Sequence, residues 1–152
     1  MIGIGQITAI NDNGPVQMAQ VEFGYLELRD NTPVIYHFGF AANPPVGSNV
    51  LANFVAGDRG NGVVAGTNHQ ALRMRGLGSG ECAIYDSLGR SVYLSAAGIV
   101  VNGNGGPVSI ANASTVTVTA TAQVVLNAPT VQVNGNLSVS GNINATGTIA
   151  GH

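Results

Sequence analysis

Charge is missing from the second half of this chain. The last formally charged residue is Arg90, so the stretch from Ser91 to His152 holds no Asp, Glu, Lys or Arg. Lysine and tryptophan are absent throughout, and residues 94–152 contain no Phe or Tyr either. Five basic residues against seven acidic ones give a formal net charge of −2. That balance leaves no basic stripe to neutralise phosphates, which excludes the usual footprint of nucleic-acid binding. No apolar run approaches the roughly 18–20 residues of a membrane-spanning helix. The opening MIGIGQITAINDNG lacks a basic region and a long apolar core, so no signal peptide is expected. The single cysteine, Cys82, has no intrachain partner, which suits folding in a reducing cytoplasm. With no adjacent cation and no helix start, it is expected to be a small buried apolar side chain rather than a reactive thiol.

What is present instead is a succession of short strands and then a long alternation. IGIGQITAI and VQMAQVEF flank the turn-rich NDNGP, which predicts a hairpin. VIYHFGF and SNVLANFV follow, separated by NPPVG, and GDRGNG turns the chain into VVAG. Five or so strands in this length suit a small β-barrel of the OB type over residues 1–66. Residues 67–98 read as a neck with two short strands, near 82–85 and 91–95, joined by a DSLGR turn. Residues 99–152 form a third region.

There the period is two. Val116, Val118, Ala120, Ala122, Val124, Leu126 and Ala128 take even positions, against Thr, Gln and Asn on the odd ones, with Val125 the one exception. At Ala128-Pro129-Thr130 the parity flips, and Val131, Val133, Leu137, Val139, Ile143 and Ile149 take odd positions. Alternation at this period means strand, and proline marks the corner. A lone chain of this pattern cannot cover its own apolar row. Burying a Val or Leu stabilises by about 1.5–3 kcal/mol only if something covers it, against about 1–2 kcal/mol to order each backbone residue. The tail also lacks the charged gatekeepers that free edges use against sticking. Symmetric assembly resolves both problems. The expectation is all-β, an OB-fold barrel followed by an intertwined trimeric β-helix. Its core would be Val116, Val118, Val124, Leu126, Val131, Val133, Leu137, Val139, Ile143 and Ile149.

Catalytic signatures are sparse. His37, His69 and His152 are far apart and form no metal-ligand pair; three copies of His152 could meet at the tip of a trimer. Asp12, Asp30, Asp58 and Asp86 sit beside Gly, Asn or Ser, where Asp serves turns. No acid lies in the tail, which excludes a polysaccharide-cleaving pair of carboxylates there. No Gly-x-Ser-x-Gly elbow and no Ser-His-Asp set is present. The GLGSG stretch lacks the Lys-Ser/Thr of a phosphate loop and reads as a turn.

Three segments carry a resemblance: YHFGFAANPP at Tyr36–Pro45, GDRGNGVVAG, and RGLGSGECAIYDSLGRSVYL. The last is similar to a segment of the form R-x-L-x-x-G-E-x-x-[IL]-Y-D, at Arg75, Leu77, Gly80, Glu81, Ile84, Tyr85 and Asp86. With them the chain resembles the Mu-type family of contractile-phage baseplate assembly proteins, the central tail spikes. The resemblance implies a virion component assembled in the host cytoplasm. It implies a homotrimer whose OB collar docks on the tail hub and whose needle leads through the host outer membrane when the sheath contracts. It implies no catalysis and no cofactor. Many such spikes end in a His-any-His motif that holds an iron ion; this chain ends in TIAGH. Either the apex holds no metal, or three His152 side chains hold one, or a separate tip protein caps a blunt end, the last being preferred. The rival reading is a trimeric, tail-fibre-like receptor-binding or adaptor protein, against which stands the lack of aromatics in the distal region.

Overall fold

A computed structural model describes residues 1–150 and divides the chain into two units, Met1–Ser109 and the residues from Ile110 onward. His152, the candidate apical ligand, lies outside the described residues. The first unit is all-β, with eight strands in two antiparallel sheets and one short 3-10 turn at Val55–Gly57.

Strands β1 (Ile2–Asn11), β2 (Met18–Glu22), β3 (Leu28–Pro33), β4 (Asn49–Phe54) and β5 (Gly62–Asn68) form the larger sheet in the order β3-β2-β1-β4-β5. The expected hairpin pairs Asn11 with Met18 and Gln6 with Glu22. Past Gln6, Ile7 continues the ladder outside β4, donating to the Ser48 carbonyl and accepting from the Gly47 amide. The register shifts between Ile7 and Ala9, between Ala19 and Val21, and between Leu51 and Ala52. Irregularities of this kind bend strands and sharpen their twist, and the sheet coils until its two edges touch. Val34, just past β3, bridges Val64 of β5 in parallel, and the Ile35 amide donates to the Val64 carbonyl at 2.9 Å.

Alternation places the core inside this coil. Ile7, Ala19, Val21, Val34, Val50 and Val64 are buried together, with Ile10, Phe23 and Tyr36 packed against them. Gly5 leaves no room for a side chain between β1 and β2: a Cβ there would sit 2.6 Å from the Glu22 carbonyl oxygen. One end is closed by Phe23 and Phe54, edge to face at 5.3 Å, with the Arg59 guanidinium 4.8 Å from the Phe54 ring centre. Arg59 also donates to the Glu27 carboxylate, which accepts from Arg29 as well.

The third strand departs from expectation. VIYHFGF is not a strand beyond the Val34 bridge; the chain turns where the Phe40 amide donates to the His37 carbonyl, with Gly39 at φ 89°. Its place in the sheet is taken by LRDNTP. That segment is an edge strand, so Arg29 and Asp30 can face solvent while Thr32 alone is buried, and its terminal proline leaves no central ladder broken.

The smaller sheet, β6 (Cys82–Tyr85), β7 (Ser91–Ser95) and β8 (Gly98–Asn102), is a meander. The first two strands fall where the sequence places them; the third continues the sheet into the region read as the start of the needle. Cys82 is exposed, not buried. It sits at the start of an edge strand, on a face that the described residues of its own unit leave open.

Among its described residues the second unit contains no strand, where the alternation predicted the strands of an intertwined β-helix. Among the described residues none from 107 to 150 makes a backbone–backbone hydrogen bond, and every residue from 110 to 150 is exposed.

Candidate functional site

Turn chemistry in the middle of the chain shows what its acidic residues do. In GLGSGE, Gly80 takes a φ of 85° and brings Glu81 back beneath the loop, where its carboxylate accepts from the Gly78 amide at 2.7 Å. The same carboxylate accepts from the Ala96 amide at 2.8 Å and from the Tyr93 hydroxyl. Glu81 therefore ties the loop before β6 to β7 and to the β7–β8 turn. The Tyr93 hydroxyl, with the two amides behind it, holds the Glu81 carboxyl below its ordinary value, and Glu81 in turn pushes the Tyr93 hydroxyl up.

In DSLGR the Asp86 carboxylate accepts from the Leu88 amide at 2.9 Å, the Arg90 amide at 3.0 Å and the Arg90 Nε at 2.6 Å. Burial works to raise that carboxyl, but the Arg90 contacts and the Leu88 amide outweigh it and leave it lowered. Asp58 accepts from the Gly60 amide at 2.8 Å and Asp30 from the Asn31 amide at 2.9 Å. These carboxylates are consumed by turns, and Glu27 by its two arginines.

The histidines are not brought together. His37 is exposed. His69 lines a cavity of about 350 Å³ with Ser48, Thr67, Arg73, Tyr85 and Asp86, and its Nδ1 is buried without a protein partner. Among the described residues no three His, Cys, Asp or Glu side chains are grouped so as to hold a metal ion, and no helix is long and apolar enough to cross a membrane.

Apolar surface is plentiful where chemistry is scarce. Val116, Val118, Val124, Leu126, Val131, Val133, Leu137, Val139, Ile143 and Ile149 all lie exposed, from 45 % at Val139 to 71 % at Leu137. None of them joins the core of its own chain. Sequence reading missed two further surfaces. One is a face of the β6–β8 sheet, foreshadowed by the alternation in CAIY, SVYLS and GIVVN. The other is the turn at His37–Phe40, where Phe38 and Phe40 are both displayed to solvent; the only signal for it was a glycine between two phenylalanines.

The chain exposes 12156 Å², whereas a folded monomer of 15.3 kDa is expected to expose roughly 7,000 Å² by the usual size scaling. The difference, about 5,000 Å², goes with the exposure of every residue from 110 to 150.

Compared with known families, residues 5–71, less than half of the chain, match the model described as Bacteriophage Mu Gp45, N-terminal. The matched segment spans the five-stranded sheet from Gly5 of β1 to just past β5. No curated protein matches the chain. The match makes this part of the chain similar to the N-terminal part of that phage protein.

Proposed function

We propose that the chain is the homotrimeric central spike of a contractile phage baseplate: an OB-fold collar that docks on the tail hub, followed by an intertwined β-helical needle that punctures the host outer membrane on sheath contraction. One observation carries this reading. Residues 116–149 carry an alternating row of apolar side chains, interrupted at Val125 and shifted in parity at Pro129, all exposed, on a backbone that among the described residues makes no backbone–backbone hydrogen bond from 107 to 150. Polar backbone groups and apolar side chains both need partners, and identical chains wound about one axis supply both at once. Three short faces make the simplest closed prism, with Gly, Asn and Pro at its corners.

The collar reading is supported by the strand order β3-β2-β1-β4-β5 together with the parallel Val34–Val64 bridge between its edges, the connectivity expected of a five-stranded Greek-key barrel. Hub and membrane enter through the resemblance to the Mu-type central tail spikes, which the similarity of residues 5–71 to the N-terminal part of Bacteriophage Mu Gp45 supports. A needle without charged side chains meets less resistance from lipid than a charged one. The role is mechanical, with no catalysis and no resident cofactor. At the apex, a separate tip protein is preferred over a metal held by three copies of His152. Light scattering on the purified chain should return three times 15.3 kDa; a stable monomer would end the proposal.

A further inference from the structure

Five asparagines of this chain precede a glycine: Asn13, Asn61, Asn102, Asn104 and Asn134. Such a pair carries its own chemistry, because the glycine nitrogen can attack the asparagine side-chain carbon and glycine has no Cβ to shield it. The attack needs a side chain and a backbone free to rotate, so hydrogen bonds on either oppose it. Four of the pairs are held. The Asn61 carbonyl accepts from the Val55 amide at 2.9 Å, the Asn61 amide donates to the Asp58 carbonyl at 3.0 Å, and Gly62 pairs with Phe54. Asn102 pairs with Ser91 at the end of β8, and its Oδ1 accepts from the Asn104 amide at 2.9 Å. The Asn104 Nδ2 donates to the Leu88 carbonyl at 2.8 Å, and the Asn134 Oδ1 accepts from Gln132 Nε2 at 2.7 Å. Asn13–Gly14 differs from all of them. The ladder of β1 and β2 ends where Asn11 faces Met18, and both Asn13 and Gly14 lie beyond it, exposed, in the connecting turn. The Asn13 amide donates to Asn11 Oδ1 at 3.1 Å, but among the described residues neither the Asn13 side chain nor the Gly14 amide makes a hydrogen bond.

We propose that Asn13–Gly14 is a modification site, at which the folded chain deamidates without an enzyme and ahead of its other Asn-Gly pairs. Hydroxide from solvent takes the Gly14 amide proton, and the nitrogen forms a bond to the Asn13 Cγ. The Cγ–Nδ2 bond breaks, and ammonia leaves with a proton from water, which restores the hydroxide. The five-membered succinimide that results is opened by water at either of its carbonyls, giving aspartate or isoaspartate in place of Asn13. The net change is an NH2 exchanged for an OH, with no oxidant or reductant. It puts a new negative charge beside Asp12, whose carboxylate accepts from Gln17 Nε2 at 2.8 Å, and the isoaspartate form adds a methylene to the backbone of the turn. The site stands on the first unit alone and is independent of the oligomeric reading.

Peptide mapping by mass spectrometry, on the purified full chain held in mildly alkaline buffer, reads the conversion at each pair. In the native chain Asn13 should convert at least about fivefold faster than each of the other four, the factor that one hydrogen bond of ordinary net strength imposes. In guanidinium-unfolded chain the hydrogen bonds are gone and the five rates should converge. No conversion at Asn13, or another pair converting first in the native chain, overturns the proposal. A lead for Asn13 that survives unfolding unchanged overturns it too, since the folded structure would then select nothing. Gly14→Ala has room at this position, with the nearest atom to its Cβ 3.5 Å away, and should slow the conversion severalfold. An unchanged rate in that variant would show that the Gly14 nitrogen is not the attacking atom, and would overturn the mechanism.

Discussion

Replacing Val118 with Asp places a carboxylate in the row that also holds Val116, Val124 and Leu126. Val118 is 70 % exposed in the chain alone, so the substitution leaves the isolated chain almost unaffected. In a trimer closed on the apolar rows, each copy loses about 1.5–3 kcal/mol of valine burial and buries a polar group without a partner at a cost of about 2–7 kcal/mol. The sum is about 3.5–10 kcal/mol per chain, or about 10–30 kcal/mol for three copies. That matches or exceeds the roughly 5–15 kcal/mol by which folded domains are stable, so assembly should fail. Thr117→Asp puts the same charge one residue away, on the polar row, and should assemble normally. Beyond Pro129 the parity reverses, so Ile143→Asp should fail where Asn142→Asp succeeds. Light scattering on the four purified variants reads the outcome as mass. The reasoning is refuted if Val118→Asp and Ile143→Asp keep the parent mass, or if the polar-row variants fail as badly.

Three more outcomes test the first unit. Gly5→Ala would put a Cβ 2.6 Å from the Glu22 carbonyl oxygen and 2.7 Å from Val21 Cγ1; thermal or urea denaturation should show a loss of about 1–3 kcal/mol, while Gly14→Ala, whose nearest neighbour is 3.5 Å away, should be neutral within about 0.5 kcal/mol. The Arg59 hydrogen bond holds the Glu27 carboxyl below its ordinary 4.5, so Glu27 contributes stability that is fully present above pH 4.5 and is lost as pH falls through the depressed folded value. Melting temperatures measured downward from pH 7 should therefore drop less steeply in Glu27→Gln than in the parent, and identical slopes would count against the Arg59–Glu27–Arg29 cluster. Burial raises the Tyr36 hydroxyl, and the Glu81 hydrogen bond raises that of Tyr93. Ultraviolet titration should accordingly find two late tyrosines, one of which returns toward 10.0 in Glu81→Gln; an unchanged curve would mean that the Glu81–Tyr93 bond does not form.

The hairpin of β1 and β2 was legible because a turn-rich NDNGP separates two apolar alternations, and β6 and β7 because DSLGR does the same. Strand β3 was not. Its sequence, LRDNTP, looks polar and ends in proline, and only its position at a sheet edge makes such a strand tolerable. The neighbouring VIYHFGF has the composition of a strand, yet Gly39 turns it outward and leaves Phe38 and Phe40 displayed. Cys82 was misread for a related reason: a small apolar residue on an alternating strand belongs to a core, but which core depends on what covers the face. The apolar row from Val116 to Ile149 could be read directly, since a period of two needs no tertiary knowledge.

Local chemistry alone determined the strand-rich class, the turns built on Asp58, Asp86 and Gly80, and the charge-free alternation of the distal region. These depend on residues within a few positions of one another, where backbone preference and periodicity act. Only the tertiary structure decided that the edges of the five-stranded sheet meet at Val34 and Val64, that Glu81 is spent on Tyr93 and two amides, and that Cys82 shares an uncovered face with Leu94 and Ile99. Each of those depends on register between strands distant in sequence, and a shift of one residue would have turned every side chain to the other side.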